Sequence, residues 1–210
     1  MNRFTVCGES KAEITVERSR FLAVAAGVTD EKQAAEFVAG VAKRFYDATH
    51  NCYAFSAGGA KRFSDDGEPS GTAGKPILNV IEQKKLVNTA VVVTRYFGGV
   101  KLGAGGLVRA YSHGCAIALD AARVCEMHPT QRWMCEVAYP LWDKVQHTLK
   151  ALPVRLEDTE FTASVVFSVS VKEADAVTVS AELTHVTDGK VEMLLEDESY
   201  SPWEELPRDG

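Results

Sequence analysis

The chain has 210 residues, 46% of them hydrophobic and 25% charged, with a formal net charge of −6. That length suits one large domain or two modest ones, and the acidic total by itself argues against a general nucleic-acid binder. No run approaches the ~20 apolar residues of a membrane helix, and Met1-Asn2-Arg3-Phe4-Thr5 lacks a signal-peptide core, so a cytoplasmic protein without a membrane partner is expected.

Residues Ala12 to Glu17 and Phe21 to Gly27 read as two strands joined by a polar turn around Arg18-Ser19-Arg20. Asp30 offers an N-cap for a helix whose Ala34, Phe37, Val38, Val41 and Phe45 recur at helical spacing. Cys52 to Ala57 reads as a short strand, followed by a turn-rich loop from Gly58 to Gly74. Pro76 suits the first turn of a helix with Ile77, Val80 and Ile81 on its apolar side. Ala90-Val91-Val92-Val93 is a β-branched run that predicts a strand buried on both faces. Past the glycines at 98 to 106, Val108, Tyr111, Cys115, Ala118 and Ala122 line one side of a strong helix. Met127-His128-Pro129-Thr130 reads as a linker.

The second half changes character. Trp133, Cys135, Val137 and Tyr139 alternate with other residues, and so do Phe161, Ala163, Val165, Phe167, Val169 and Val171, which predicts antiparallel strands covered on one side. Leu141 to Ala151 and Lys172 to Leu183 fit helices, and Val191, Met193 and Leu195 supply a last strand. The resulting order is that of a ferredoxin-like domain. The expected division is 1–128, 129–200 and an acidic tail at 201–210.

The five cysteines, Cys7, Cys52, Cys115, Cys125 and Cys135, form no Cys-x-x-Cys pair and read as small, reduced, buried side chains. The four other histidines besides His50 show no metal-ligand spacing. Charge is uneven: between His50 and Ala110, Lys61, Arg62, Lys75, Lys84, Lys85, Arg95, Lys101 and Arg109 face only Asp65, Asp66, Glu68 and Glu82. From Thr130 on, acids outnumber bases.

Two segments could carry chemistry. In Val91 to Arg109 a buried strand, a glycine loop and a helix follow one another, with Gly103, Gly105 and Gly106 opening the helix and Arg95, Lys101 and Arg109 beside it. Glycines admit close backbone approach, and a helix N-terminus favours anions, so this unit suits phosphate; Arg62 and Lys75 extend the same basic half. The alternative is that the glycines only permit tight helix–sheet packing. The dinucleotide fingerprint fails because Val108 stands where its third glycine belongs, and Pro69 and Pro76 break any Walker-A reading around Gly74-Lys75. In the second segment, Asp65, Asp66 and Glu68 are candidates for Mg²⁺ or acid–base work, against a structural reading as turn residues near a helix start. His50 and Cys52 share a strand face but lack an orienting third residue.

Three blocks, Asp47-Ala48-Thr49-His50-Asn51-Cys52-Tyr53-Ala54, the run from Phe63 to Pro76 and the run from Thr94 to Tyr111, resemble the signature of the IMPACT/YigZ family. The resemblance covers Ser19 to Leu119 strongly. It implies an α+β protein: an N-terminal domain like domain IV of elongation factor G, with a left-handed βαβ crossover, and a ferredoxin-like C-terminal domain. It also implies contact with RNA or the ribosome. The partner binding of eukaryotic members uses an extra N-terminal domain and is not carried over.

The reading that follows is a non-enzymatic protein that contacts RNA or the ribosome and influences translation, with no cofactor and no metal. Arg95, Lys101 and Arg109 would meet phosphates. The alternatives are a nucleotide- or phosphometabolite-binding enzyme using the same loop, and a protein–protein adaptor using the acidic second half.

Overall fold

The computed structural model describes residues 3–205, and the chain divides into two compact units. One comprises the residues up to Glu126 with those from Pro202 on; the other spans Met127–Ser201.

In the first unit, strands β1 (Arg3–Cys7), β2 (Glu9–Val16), β3 (Ser19–Gly27), β4 (His50–Ala57), β5 (Ala60–Ser64) and β6 (Thr89–Tyr96) alternate with helices α1 (Glu31–Arg44), α2 (Gly74–Gln83) and α3 (Gly103–Asp120). Five strands form an antiparallel sheet in the order β2-β3-β6-β4-β5. β3 and β4 run parallel on either side of β6 and are connected through α1. One sheet face packs Phe21, Ala23, Ala25, Val91 and Val93 with Ile77 and Ile81 of α2 and Tyr111 and Cys115 of α3. The other face packs Val24, Val92, Phe55 and Ala90 with Ala34 and Val41 of α1. Burial on both faces explains the unbroken valine run of β6, every residue of which from Thr89 to Arg95 is buried. Asp30 caps α1 as its position suggests, its carboxylate accepting from the Gln33 amide at 2.8 Å.

The turn between β2 and β3 falls at Glu17 and Arg18, both at positive φ, one residue earlier than the polar run suggests. The Gly58–Gly74 stretch is not all loop. Gly58 and Gly59, both at positive φ, turn the chain into β5, which pairs with β4.

The second unit contains most of β7 (Arg123–Val137), then α4 (Tyr139–Leu149), β8 (Val154–Phe161), β9 (Val165–Lys172), α5 (Ala176–Val186) and β10 (Glu192–Glu205). β10 pairs β7, β7 pairs β9 and β9 pairs β8, which is the ferredoxin-like strand order. Its core joins Trp133, Cys135 and Val137 to Trp142 and Val145 of α4 and Val179 and Leu183 of α5.

Four expectations are corrected. The supposed linker at Met127–Thr130 lies within β7, and Pro129 stands just before the first β7–β9 pair, Thr130 with Lys172. The single alternating run from Phe161 to Val171 is a hairpin, with Phe161 ending β8 and Val165 opening β9. The polar face of β9 is also covered: Ser168 and Ser170 are buried, and Ser170 bonds the Glu157 carboxylate, which Arg132 pairs in turn. The supposed tail is strand through Glu205, and 206–210 lie outside the described residues. The cysteines differ too. Cys7 and Cys125 form a disulfide, Cα–Cα 6.0 Å, whereas Cys52, Cys115 and Cys135 are free and buried. A separation of 118 residues hides that pairing from the sequence, but β1 and β7 are sheet neighbours. Among the described residues no helix is long and apolar enough to cross a membrane.

Candidate functional site

Near the end of strand β6, at its penultimate position, stands an arginine that its apolar neighbours cannot solvate. Arg95 is 5% exposed, so its charge needs a buried partner. Glu68, from the loop before α2, provides it: Glu68 Oε1 accepts from Arg95 Nη1 at 2.7 Å and from the Tyr111 hydroxyl of α3 at 2.8 Å. Phe21 and Phe97 rings lie 5.5 and 5.4 Å from the guanidinium carbon. Arg95 Nη2 also reaches Ser19 Oγ at 3.3 Å, and that oxygen accepts from the Gly98 amide at 3.1 Å. His50 faces the same carboxylate, with Nε2 4.0 Å from Glu68 Oε2. Its Nδ1 lies 2.6 Å from the Asp66 carbonyl oxygen; a carbonyl only accepts, so Nδ1 carries the proton. One buried carboxylate thus joins β4, the β5–α2 loop, β6 and α3.

Asp65 and Asp66 serve other ends. Asp65 Oδ1 accepts from the Ala73 and Gly74 amides at 3.0 and 2.8 Å, and Oδ2 accepts from Gly71 at 2.8 Å, so Asp65 satisfies the start of α2. Burial raises its pKa, but the three backbone donors outweigh that and hold it below the usual 3.8. Asp66 Oδ2 accepts from the Asn51 amide at 2.6 Å. The three acids considered for Mg²⁺ therefore point to three destinations, and among the described residues no cluster of His, Cys, Asp or Glu is suited to hold a metal. Cys52 gives a hydrogen bond to the Asp65 carbonyl at 3.0 Å, and burial pushes its thiol up to about 12, which removes it as a nucleophile at neutral pH.

A depressed carboxyl stabilises the fold above its unfolded value and stops doing so as pH falls through the lower folded value. Asp65→Ala should cost about 2 kcal/mol at pH 7. In urea unfolding measured from pH 7 downward, the gap from wild type should close only below the ordinary value of 3.8. A gap constant down to acid pH would contradict the assignment.

The loop from β6 to α3 is built differently. Gly98 presses on the β2–β3 turn: a Cβ there would lie 2.0 Å from the Arg18 carbonyl carbon. The Phe97 amide is bonded to Thr49 Oγ1 at 3.0 Å. Gly103, at φ +69, then opens α3, which has no side-chain cap and no acid in its first turn. Among the described residues, nothing accepts from the amides of Gly103, Ala104 and Gly105. The Arg109 guanidinium lies beside this turn, since a Cβ on Gly105 would be 3.6 Å from Nη1. A Cβ on Gly106 would come within 3.0 Å of Leu102, so this glycine serves close packing. Lys101 and Arg109 make no ion pair among the described residues. Both line an open groove of about 1110 Å³ beside α3, shared with Val16, Val80, Val100 and His113.

The proposed basic set therefore separates. Lys101, Gly106 and Arg109 line the groove, whereas Gly103 and Gly105, in the first turn of α3, do not. Arg95 is buried in its ion pair and is not free to meet a phosphate. Arg62 pairs with Glu31 at 2.9 Å, Lys75 lies over the Phe63 ring, and neither lines the groove.

Residues 17–119 match the family model described as the Impact N-terminal domain, and residues 135–190 match one described as a domain of unknown function, DUF1949. The chain is 37% identical over 190 residues to the IMPACT family member YvyE of Bacillus subtilis, covering 89% of this chain and 88% of that one. The chain belongs to the IMPACT family.

IMPACT family member YigZ of Escherichia coli is 31% identical over 87% of this chain and 92% of its own. A solved crystal structure of an hypothetical protein superposes with TM-score 0.65 at 29% identity, covering 93% of this chain and 98% of that one. The three blocks that carry the IMPACT resemblance are the ones that meet at Glu68. Sequence reasoning missed Tyr111 and Ser19 as partners there. The available signal was an arginine following the buried valine run of one strand, where its charge demands a buried acceptor.

Proposed function

We propose that this IMPACT family chain is a non-enzymatic binding protein that contacts RNA, free or on the ribosome, and acts on translation through that contact. The observation that carries the reading is the start of α3, where three amides without a partner among the described residues lie beside the Arg109 guanidinium, Lys101 is two residues before the helix, and neither cation has an ion pair among the described residues. Helix dipole and cations both favour phosphate there. The buried Glu68–Arg95 pair does not touch the ligand; it holds the strand end and Gly98 from which the loop departs. RNA affinity, read by fluorescence anisotropy, should then be measurable at low salt and fall steeply as salt rises, because phosphate contacts release counterions. Absence of binding to RNA and to ribosomes at low salt would retire the reading.

A further inference from the structure

Phosphate contacts alone leave the groove beside α3 unexplained. Its volume, about 1110 Å³, exceeds what an ion needs and reaches the upper end of the roughly 300–1,000 Å³ of small-molecule pockets. Its walls are largely apolar: Val16 beside the β2–β3 turn, Val80 from the end of α2, and Val100, Leu102, Val108 and Ala116 from the loop and α3. Val100 and Val108 are each 37% exposed, which leaves apolar surface facing water. Lys84, Lys101 and Arg109 stand against one lining acid, Glu17, and Lys84 is itself paired with Asp120. An occupant must therefore be anionic and carry an apolar body.

Two planar groups narrow the choice. Arg109 and His113 both line the groove and are four residues apart on α3, so they are neighbours on one helix face. His113 is exposed. Imidazole rings and guanidinium planes are surfaces on which unstacked bases rest in single-stranded RNA recognition. A duplex keeps its bases stacked inside and offers this groove only ribose and phosphate, leaving the valine walls wet.

We propose that the groove takes unpaired nucleotides of single-stranded RNA, with a base against His113 and Arg109 over the valine walls and its phosphate toward Lys101. This rests on the RNA reading above and sharpens it from polyanion to strand state.

The test compares three labelled RNAs of equal length and charge per strand on the intact protein: a single-stranded oligonucleotide, its abasic counterpart and a perfect duplex. The single strand should bind about tenfold more tightly than the abasic strand, the scale of one stacked base. It should also exceed the duplex. His113→Ala should remove most of that advantage while leaving abasic binding unchanged, and Ala116→Leu, which narrows the groove without altering charge or adding a ring on which a base could stack, should also reduce it. Folding of both variants is checked by their unfolding transitions. Equal affinity for all three RNAs would overturn the groove assignment and leave the phosphate reading standing. No binding of any RNA at low salt would overturn both.

Discussion

Glu68→Ala is expected to lower stability by about 3–5 kcal/mol, because it strands the Arg95 charge in the interior. Arg95 is 5% exposed, its Nε has no hydrogen-bond partner, and the glutamate is its one anionic contact among the described residues. The substitution also leaves the buried Tyr111 hydroxyl without its acceptor, a further desolvation cost. Arg95→Met should cost a similar amount, since Glu68 would then stay buried with the Tyr111 hydroxyl as its hydrogen-bond donor and His50 4.0 Å away. The two losses should not add. With both charges removed, in Glu68→Leu with Arg95→Met, no uncompensated ion remains, and stability should return above that of either single variant. Urea unfolding of wild type, Glu68→Leu, Arg95→Met and the double variant measures the coupling. Additive losses would show that the two side chains contribute independently and that the pair is not what joins the three blocks.

Gly98→Ala is expected to cost about 3 kcal/mol, the upper part of the usual range for overpacking. The added methyl would lie 2.0 Å from the Arg18 carbonyl carbon and 2.4 Å from the Ser19 amide nitrogen. These are backbone atoms, so relief requires moving either the β2–β3 turn or the start of the glycine loop. Ser19 also accepts from both Arg95 and Gly98, so displacement at this point is transmitted to the buried pair. Gly105→Ala provides the comparison within the same loop and helix. Its nearest new contact is 3.6 Å, at the Arg109 guanidinium, and it should change stability by no more than about 0.5 kcal/mol. Thermal unfolding of the two variants separates them, and equal losses would contradict the view that these glycines do different work. The adjacent blocks read as one glycine-rich motif in sequence, yet Gly98 serves packing while Gly103 serves a positive-φ helix start.

Elements whose signals are local were legible in the sequence. The valine run of β6, the Asp30 cap of α1 and the alternation in the second unit each depend on neighbours within a few residues, and period or capping chemistry exposes them. β5 was not legible, because its pairing with β4 depends on a two-glycine turn inside a stretch rich in turn residues. The Cys7–Cys125 bond and the Glu68–Arg95 pair are contacts across 118 and 27 residues, and composition carries no trace of either. The candidate site was legible only in part. Glycines and cations near α3 could be read, but burial divides them: Arg95 faces inward to Glu68, whereas Lys101 and Arg109 remain at the groove. Asp65 illustrates the same limit, since turn composition suggested a structural acid without showing that it satisfies a helix start eight and nine residues ahead.

The central claim is that α3 opens onto a cationic surface that meets RNA phosphates. Its most direct measurement is RNA affinity as a function of salt for the wild-type protein and for the Lys101→Ala/Arg109→Ala variant. On single-stranded RNA, two lost phosphate contacts should reduce the slope of log affinity against log salt by about 1.4 while the fold stays intact. A variant that binds with unchanged affinity and slope would contradict the claim.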